Sequence, residues 1–149
     1  MQPTAEPDLP SSFRFLKAYY LVWQTLAATA ATNLERCLRL DVRGLIILSY
    51  IAWGHDNSPS DLSRKLQLSK YTVTRALDRL EALGAIERSV HPRDGRRARL
   101  TLTPSGARLH GAAIIEIERT LGATLAPFTE VPHLVRTLEA LLEPRKGTS

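Results

Sequence analysis

Residues 84–106 read GAIERSVHPRDGRRARLTLTPSG, and two short strands with a basic turn between them stand out in that stretch. Ile86 and Val90 flank Arg88, while Leu100 and Leu102 alternate with Arg99 and Thr101, the period of two that marks a half-buried strand. Between them lies His91-Pro92-Arg93-Asp94-Gly95-Arg96-Arg97, in which Pro92 and Gly95 set turn geometry. A tip carrying Arg93, Arg96 and Arg97 is costly to bury and well suited to a nucleic-acid groove. Asp94 has two readings there: it pairs with a neighbouring arginine and fixes the hairpin, or it is the turn-former of an Asp-Gly dipeptide.

Directly upstream lie two short helical patterns in tandem. Ser58, Pro59 and Asp61 have the spacing of a capped helix start, with Leu62 and Leu66 facing inward. Gln67 and Leu68 make a turn, and Ser69 caps the next helix, with Leu68 and Val73 placed as a hydrophobic staple. Val73, Ala76, Leu77, Leu80 and Leu83 fill one side of that helix, and Gly84 closes it in a left-handed conformation. Its other side shows Tyr71, Arg75 and Asp78, with Thr74 and Arg79 at the margins. Two capped helices followed by an arginine-tipped hairpin spell a winged helix-turn-helix.

In such a unit the N-terminal residues of the second helix meet base edges in the major groove. Lys70, Tyr71, Thr74 and Arg75 are the expected readers, with Arg75 bidentate to guanine and Thr74 or Tyr71 on a thymine methyl or a phosphate. Ser69 and the first free backbone N–H groups suit a phosphate. Arg79 borders this face, and Arg96 or Arg97 reaches the adjacent minor groove, with Arg93 and Asp94 beside them. Charge supports the placement. Residues 64–108 hold eleven Lys/Arg against four acids, +7, whereas the rest holds nine against eleven, −2, giving the chain its net +5.

On either side of this unit come longer apolar helices. One pattern spans 12–36, with Leu16, Tyr20, Trp23, Ala27, Ala30 and Leu34 near one face. Asp41 caps a second, with Leu45, Leu48 and Ala52 inward and an end near Gly54. After the hairpin, Thr103 and Pro104 start a helix with Ile114, Ile117, Leu121 and Leu125 on its stripe, ended by Pro127. A last helix carries Leu134, Leu138, Leu141 and Leu142. Residues 1–11 read as loose and the tail PRKGTS as frayed. The expectation is a mainly α chain with a small β-hairpin wing, one domain over 1–149. Its winged-helix part lies at 41–103 and its dimerisation helices at 12–36 and 104–143, because so much apolar terminal surface needs a second copy to cover it.

Leu77-Asp78-Arg79-Leu80-Glu81, Gly84-Ala85-Ile86-Glu87-Arg88, Asp94-Gly95-Arg96-Arg97 and Leu102-Thr103 before Gly106 together resemble the MarR regulators. That family's wing has Asp-x-Arg followed at fixed distance by Leu-Thr and a helix; Asp94, Arg96, Leu102 and Thr103 fit it. The motifs cover about residues 58–106. The resemblance implies a homodimer with interlocked terminal helices, binding a pseudo-palindromic operator and most often repressing. It also implies a crevice for a small phenolic or lipophilic ligand, walled by the first, second and fifth helices. Tyr19, Tyr20, Trp23, Trp53 and His110 are the candidates there, against a plainer role for each in core or dimer packing.

Other function classes find less support. No Gly-x-Gly-x-x-Gly, Walker loop or Gly-x-Ser-x-Gly occurs, so no enzyme activity and no cofactor are expected. The histidines His55, His91, His110 and His133 are scattered, with His55-Asp56 the only adjacent ligand-type pair, so no metal is expected. The single cysteine, Cys37, sits at the far end of the first helix, away from the N-terminal position of oxidant-sensing relatives, and reads as inert. It forms no internal disulfide, no stretch reaches ~18 apolar residues, and no secretory signal opens the chain, all consistent with a cytoplasmic protein. Two alternatives to a sequence-specific regulator remain. A winged-helix protein-interaction module would not need Lys70, Arg75, Arg79 and the tip arginines together. A non-specific architectural DNA binder would grip all duplexes equally.

Overall fold

A computed structural model of the chain describes residues 9–54 and 58–143. The expectations for residues 1–8, for the His55-Asp56 pair and for the tail from 144 lie outside these described residues. The order is α1 (Ser11–Val22), a π-helical turn (Trp23–Ala27), α2 (Ala28–Leu38), α3 (Val42–Ala52), α4 (Pro59–Leu66), α5 (Lys70–Ala82), β1 (Ile86–His91), β2 (Asp94–Leu102), α6 (Pro104–Leu125) and α7 (Val131–Leu142). The architecture is the mainly helical one expected, with a two-stranded antiparallel hairpin.

Local chemistry sets the boundaries. Asp41 accepts from the Gly44 N–H and starts α3, and Thr103 accepts from the Gly106 N–H and starts α6. Ser58 and Asp61 form a reciprocal capping box at α4. Ser69 accepts from the Thr72 N–H and starts α5. The turn between α4 and α5 is made by Gln67 at φ +52° and closed by Ser63 Oγ on the Leu68 carbonyl at 2.6 Å. Gly84, at φ +68°, ends α5 in the left-handed region that a side chain would resist.

The core lies where α2, α3, α5 and the hairpin root meet. Leu34, Leu40, Ile47, Leu48, Leu62, Val73, Leu77, Leu80 and Ile86 are fully buried there. Thr103 locks the root. Its backbone N–H reaches the Ala85 carbonyl at 3.1 Å, and its hydroxyl donates to the Gly84 carbonyl at 2.5 Å. One turn on, Gly106 packs so tightly that an added Cβ would sit 1.9 Å from the Ala85 carbonyl oxygen.

Two local expectations need correcting. The 12–36 pattern is not one regular helix with one inward face: Ala30 and Leu34 are buried, whereas Leu16, Tyr20 and Trp23 are 61%, 58% and 52% exposed. The π-helical turn shifts the phase between the two halves. The Thr25 hydroxyl bonds back to the Leu21 carbonyl at 2.8 Å, competing with the backbone ladder at that place. Val90, expected inward, is 69% exposed. The strand pairing runs from Ile86 opposite Leu102 to Val90 opposite Ala98 and then slips, with His91 opposite Asp94. That bulge falls where the hairpin has already left the body and no core remains to receive a side chain.

Candidate nucleic-acid interface

Helix α5 meets the body through Val73, Leu77 and Leu80, so its opposite side faces out. Lys70, Tyr71, Thr74 and Arg75 are all exposed on it, Tyr71 by 73%. Among the described residues none of these four side chains is held in an ion pair or side-chain hydrogen bond. Ser69 precedes them, its hydroxyl 2.8 Å from Thr72 Oγ1 and occupied in capping. What it leaves available at this end is the early backbone N–H groups of the helix, where the dipole favours an anion.

The wing carries Arg93 and Arg96 into solvent, likewise without a side-chain ion partner among the described residues. Neither reading of Asp94 holds as stated: the turn itself is Pro92-Arg93, Asp94 and Gly95 open β2 with Asp94 opposite His91, and the Asp94 carboxylate accepts the Arg96 N–H at 3.1 Å. The tip is further ordered by the Arg93 N–H donating to His91 Nδ1 at 3.2 Å. These bonds fix the backbone beneath Arg93 and Arg96 and leave both guanidinium groups free.

Two of the expected contacts are engaged within the protein instead. Arg79 donates to Glu35 and, at 2.8 Å, to the Arg39 carbonyl, which bridges α5 to the end of α2. Arg97 donates to Asp61 at 2.5 Å and lies 3.4 Å from Ser58 Oγ, which ties β2 to the start of α4. A further brace was not foreseen in the sequence. Arg88 reaches Asp78 at 2.5 Å and Glu81 at 3.4 Å, joining β1 to α5. The Asp61 carboxyl is held down to about 2, first by the hydrogen bond from the Ser58 hydroxyl, against an opposing effect of burial, with the Ser58 N–H, Arg97 and Arg64 adding smaller lowering contributions.

A groove of about 580 Å³ opens between the N-terminus of α3 and the outer face of α5, lined by Asp41, Arg43, Tyr71, Thr72, Arg75 and Arg79 among others. Arg43 went unnoticed in the sequence because a lone arginine in a first helical turn reads as an ordinary solvated residue. The fold sets it beside Arg75, on the same basic surface.

A second, mostly apolar cavity of about 440 Å³ lies between the π-helical turn, α2, α3 and the α4–α5 turn. Trp23, Gln24, Ala27, Val42, Ile46 and Leu68 wall it, and Arg43 borders it as it borders the groove. Of the five aromatic candidates, Trp23 is in this wall. Tyr19 and Tyr20 lie exposed along α1. Trp53 and His110 form an edge-on pair at 6.1 Å, with His110 Nε2 2.9 Å from Ser49 Oγ. The fifth predicted helix, now α6, contributes no wall to it; Leu66 and Leu68 do. No group of three His, Cys, Asp or Glu converges among the described residues. No described helix is long and apolar enough to cross a membrane.

Comparison with known proteins agrees with this geometry. Residues 40–97 match the model of the MarR family. Over 92 residues the chain is 30% identical to the HTH-type transcriptional regulator YdgJ of Bacillus subtilis, a match covering 62% of this chain and 56% of that one. The chain thus spans little more than half the length of that curated relative. The transcriptional regulator BldR of Sulfolobus solfataricus superposes with a TM-score of 0.82 at 18% identity, over 92% of this chain and 98% of that one. MepR of Staphylococcus aureus, solved as a complex with DNA, superposes with a TM-score of 0.70 at 21% identity, over 89% and 99%. At such identities the two structures speak for the fold.

Proposed function

From a chain whose residues 40–97 match the MarR family model, we propose a winged-helix transcriptional regulator that binds double-stranded DNA as a homodimer. The observation that carries this reading is the division of labour among the arginines. Among the described residues Arg75, Arg93 and Arg96 have no ion-pair partner and face outward, while Arg79, Arg88 and Arg97 brace the elements that hold them. Arg75, Thr74, Tyr71 and Lys70 read the major groove; Arg96 and Arg93 reach the minor groove; Arg43 and the amides after Ser69 take phosphates. The DNA complex of MepR supports the same use of the shared fold.

The dimer rests on apolar surface. Phe13, Phe15, Leu16, Tyr20 and Trp23 on the first helix are about half exposed in a single chain, and Ile115 on α6 and Leu142 on α7 are 70% and 76% exposed. A folded monomer does not keep so large an apolar area in water. We assign residues 12–36 and 104–143 to dimerisation and 41–103 to DNA binding. Two winged units related by a two-fold axis read a pseudo-palindrome and repress by covering a promoter. A small lipophilic ligand in the Trp23 cavity would relieve repression. Arg43 walls both that cavity and the DNA-side groove, so an occupant shifts a side chain next to Arg75.

Selection of bound duplexes from a random pool by the full chain tests the proposal. The expected product is an inverted repeat with half-sites about one helical turn apart. A pool that shows no enrichment at physiological salt overturns sequence-specific binding.

A further inference from the structure

Asp61 joins more groups than a helix cap requires. Its Oδ2 accepts from the Ser58 N–H at 3.1 Å and the Ser58 hydroxyl at 2.7 Å, which completes the capping box. The same oxygen also takes Arg97 at 2.5 Å from a strand 36 positions on, and Oδ1 takes Arg64 at 2.8 Å. The Asp61 side chain is 15% exposed, against 43% for Arg97. Both partners line a shallow cleft between the start of α4 and β2, together with Ser58, Arg64 and Arg96.

A two-stranded hairpin has little stability of its own and takes its direction from whatever it is tied to. Arg88 ties the root of this one to α5. We propose that the Asp61–Arg97 pair is a latch that ties its outer half to α4 and sets the angle at which Arg96 meets DNA. Arg97 is therefore a positioning residue, and its neighbour Arg96 is the arm that touches the duplex. The Asp61 carboxyl, held far below the usual carboxylate range, stays charged and latched throughout the physiological pH range. The inference rests on the DNA-binding reading for its consequence, though not for the latch itself.

The two roles open to Arg97 predict opposite signs. If Arg97 touched phosphate and Asp61 merely offset its charge, Asp61→Asn would remove a negative group near DNA and tighten binding to every duplex. Arg97→Ala would then flatten the salt dependence by about 0.9 per subunit in log–log slope. With the latch, Asp61→Asn weakens operator binding, and Arg97→Ala weakens it by about tenfold with an unchanged salt slope. Because both act through one contact, the double variant is no worse than the weaker single one. Arg97→Lys, which keeps a charge that reaches Asp61, retains most of the affinity.

The test uses the full-length chain. Affinity for the selected operator and for a scrambled duplex is titrated across a salt series for wild type and the four variants. Hydrogen exchange of residues 91–99 is followed without DNA. Arg97→Ala leaves the Ser58–Asp61 cap intact, so the result does not depend on a misfolded α4. Faster exchange in Arg97→Ala and Asp61→Asn, with the affinity pattern above, supports the latch. Unchanged exchange, or tighter binding by Asp61→Asn, overturns it. Wild-type protein that binds no duplex refutes the regulator reading, while the exchange measurement still decides the latch.

Discussion

Arg75 and Arg79 sit one helical turn apart on α5, with the same chemistry and similar places on the helical wheel, yet replacing each by alanine is expected to do different things. Arg75 is exposed and has no ion-pair partner among the described residues, so in the proposed reading its guanidinium goes to DNA. The proposed homodimer carries two copies, so Arg75→Ala lowers the salt slope of operator binding by about 1.8. Wild-type binding then weakens about tenfold more than the variant's between about 50 and 200 mM salt. It also removes ~1–3 kcal/mol of discrimination per half-site, seen as a narrowed gap between operator and scrambled duplex. Arg79 is 42% exposed and its partner Glu35 52%. A pair that open contributes ~0.2–1 kcal/mol to stability, which is a fall of no more than a few degrees in Tm for a chain of this size. Arg79→Ala therefore melts slightly earlier and binds with an unchanged slope. Fluorescence anisotropy across the salt series, beside thermal melting, reads both quantities. Equal slope changes for the two variants would refute the division between contacting and bracing arginines.

Gly106→Ala forces a methyl against the Ala85 carbonyl at a joint already fixed by Thr103, so ~3 kcal/mol or more of stability is lost, and thermal melting should fall by roughly 10 °C. The Asp61 carboxyl titrates lower in the folded protein than in the unfolded chain, so its contribution is complete above about pH 4 and disappears as pH falls toward about 2. Wild-type Tm should consequently drop more steeply than that of Asp61→Asn over this window, and parallel curves would contradict the assignment. Leu134→Glu combined with Leu141→Glu puts charges on the apolar face of α7, where both leucines are more than half exposed in a single chain. Sedimentation should show monomer and operator binding should collapse, whereas an unchanged dimer would place the interface elsewhere.

Features decided within a few residues were legible before any coordinates. Ser58, Ser69 and Thr103 cap helices because a hydroxyl has to satisfy amides only two or three positions ahead. Gly84 ends α5 because a left-handed residue there needs no distant partner. Side chains that can swing were less legible. Arg79 and Arg97 look like DNA contacts on a wheel or a hairpin diagram, but Glu35 lies 44 positions from the one and Asp61 36 from the other. Nothing local announces either pairing. Val90 misled for another reason: it shares a strand face with buried Ile86, four positions back, but the body it should have packed against stops short of it. The Trp23 cavity depends on four segments meeting, and among the aromatic candidates only position 23 happened to lie on the side that closes it.

The π-helical turn at Trp23–Ala27 has a consequence for how the chain tolerates change. One surplus residue in that turn lets Ala30 and Leu34 keep their seats in the core while the aromatic residues before it point away into solvent. Tightening that turn into regular α-helix without removing a residue would swing everything upstream by about 100°. Every aromatic side chain would survive such a change, and the winged half would fold as before. In the proposed homodimer the two copies would nonetheless meet with their seams out of step, and reading heads meant to be spaced by one turn of DNA would lose their ruler.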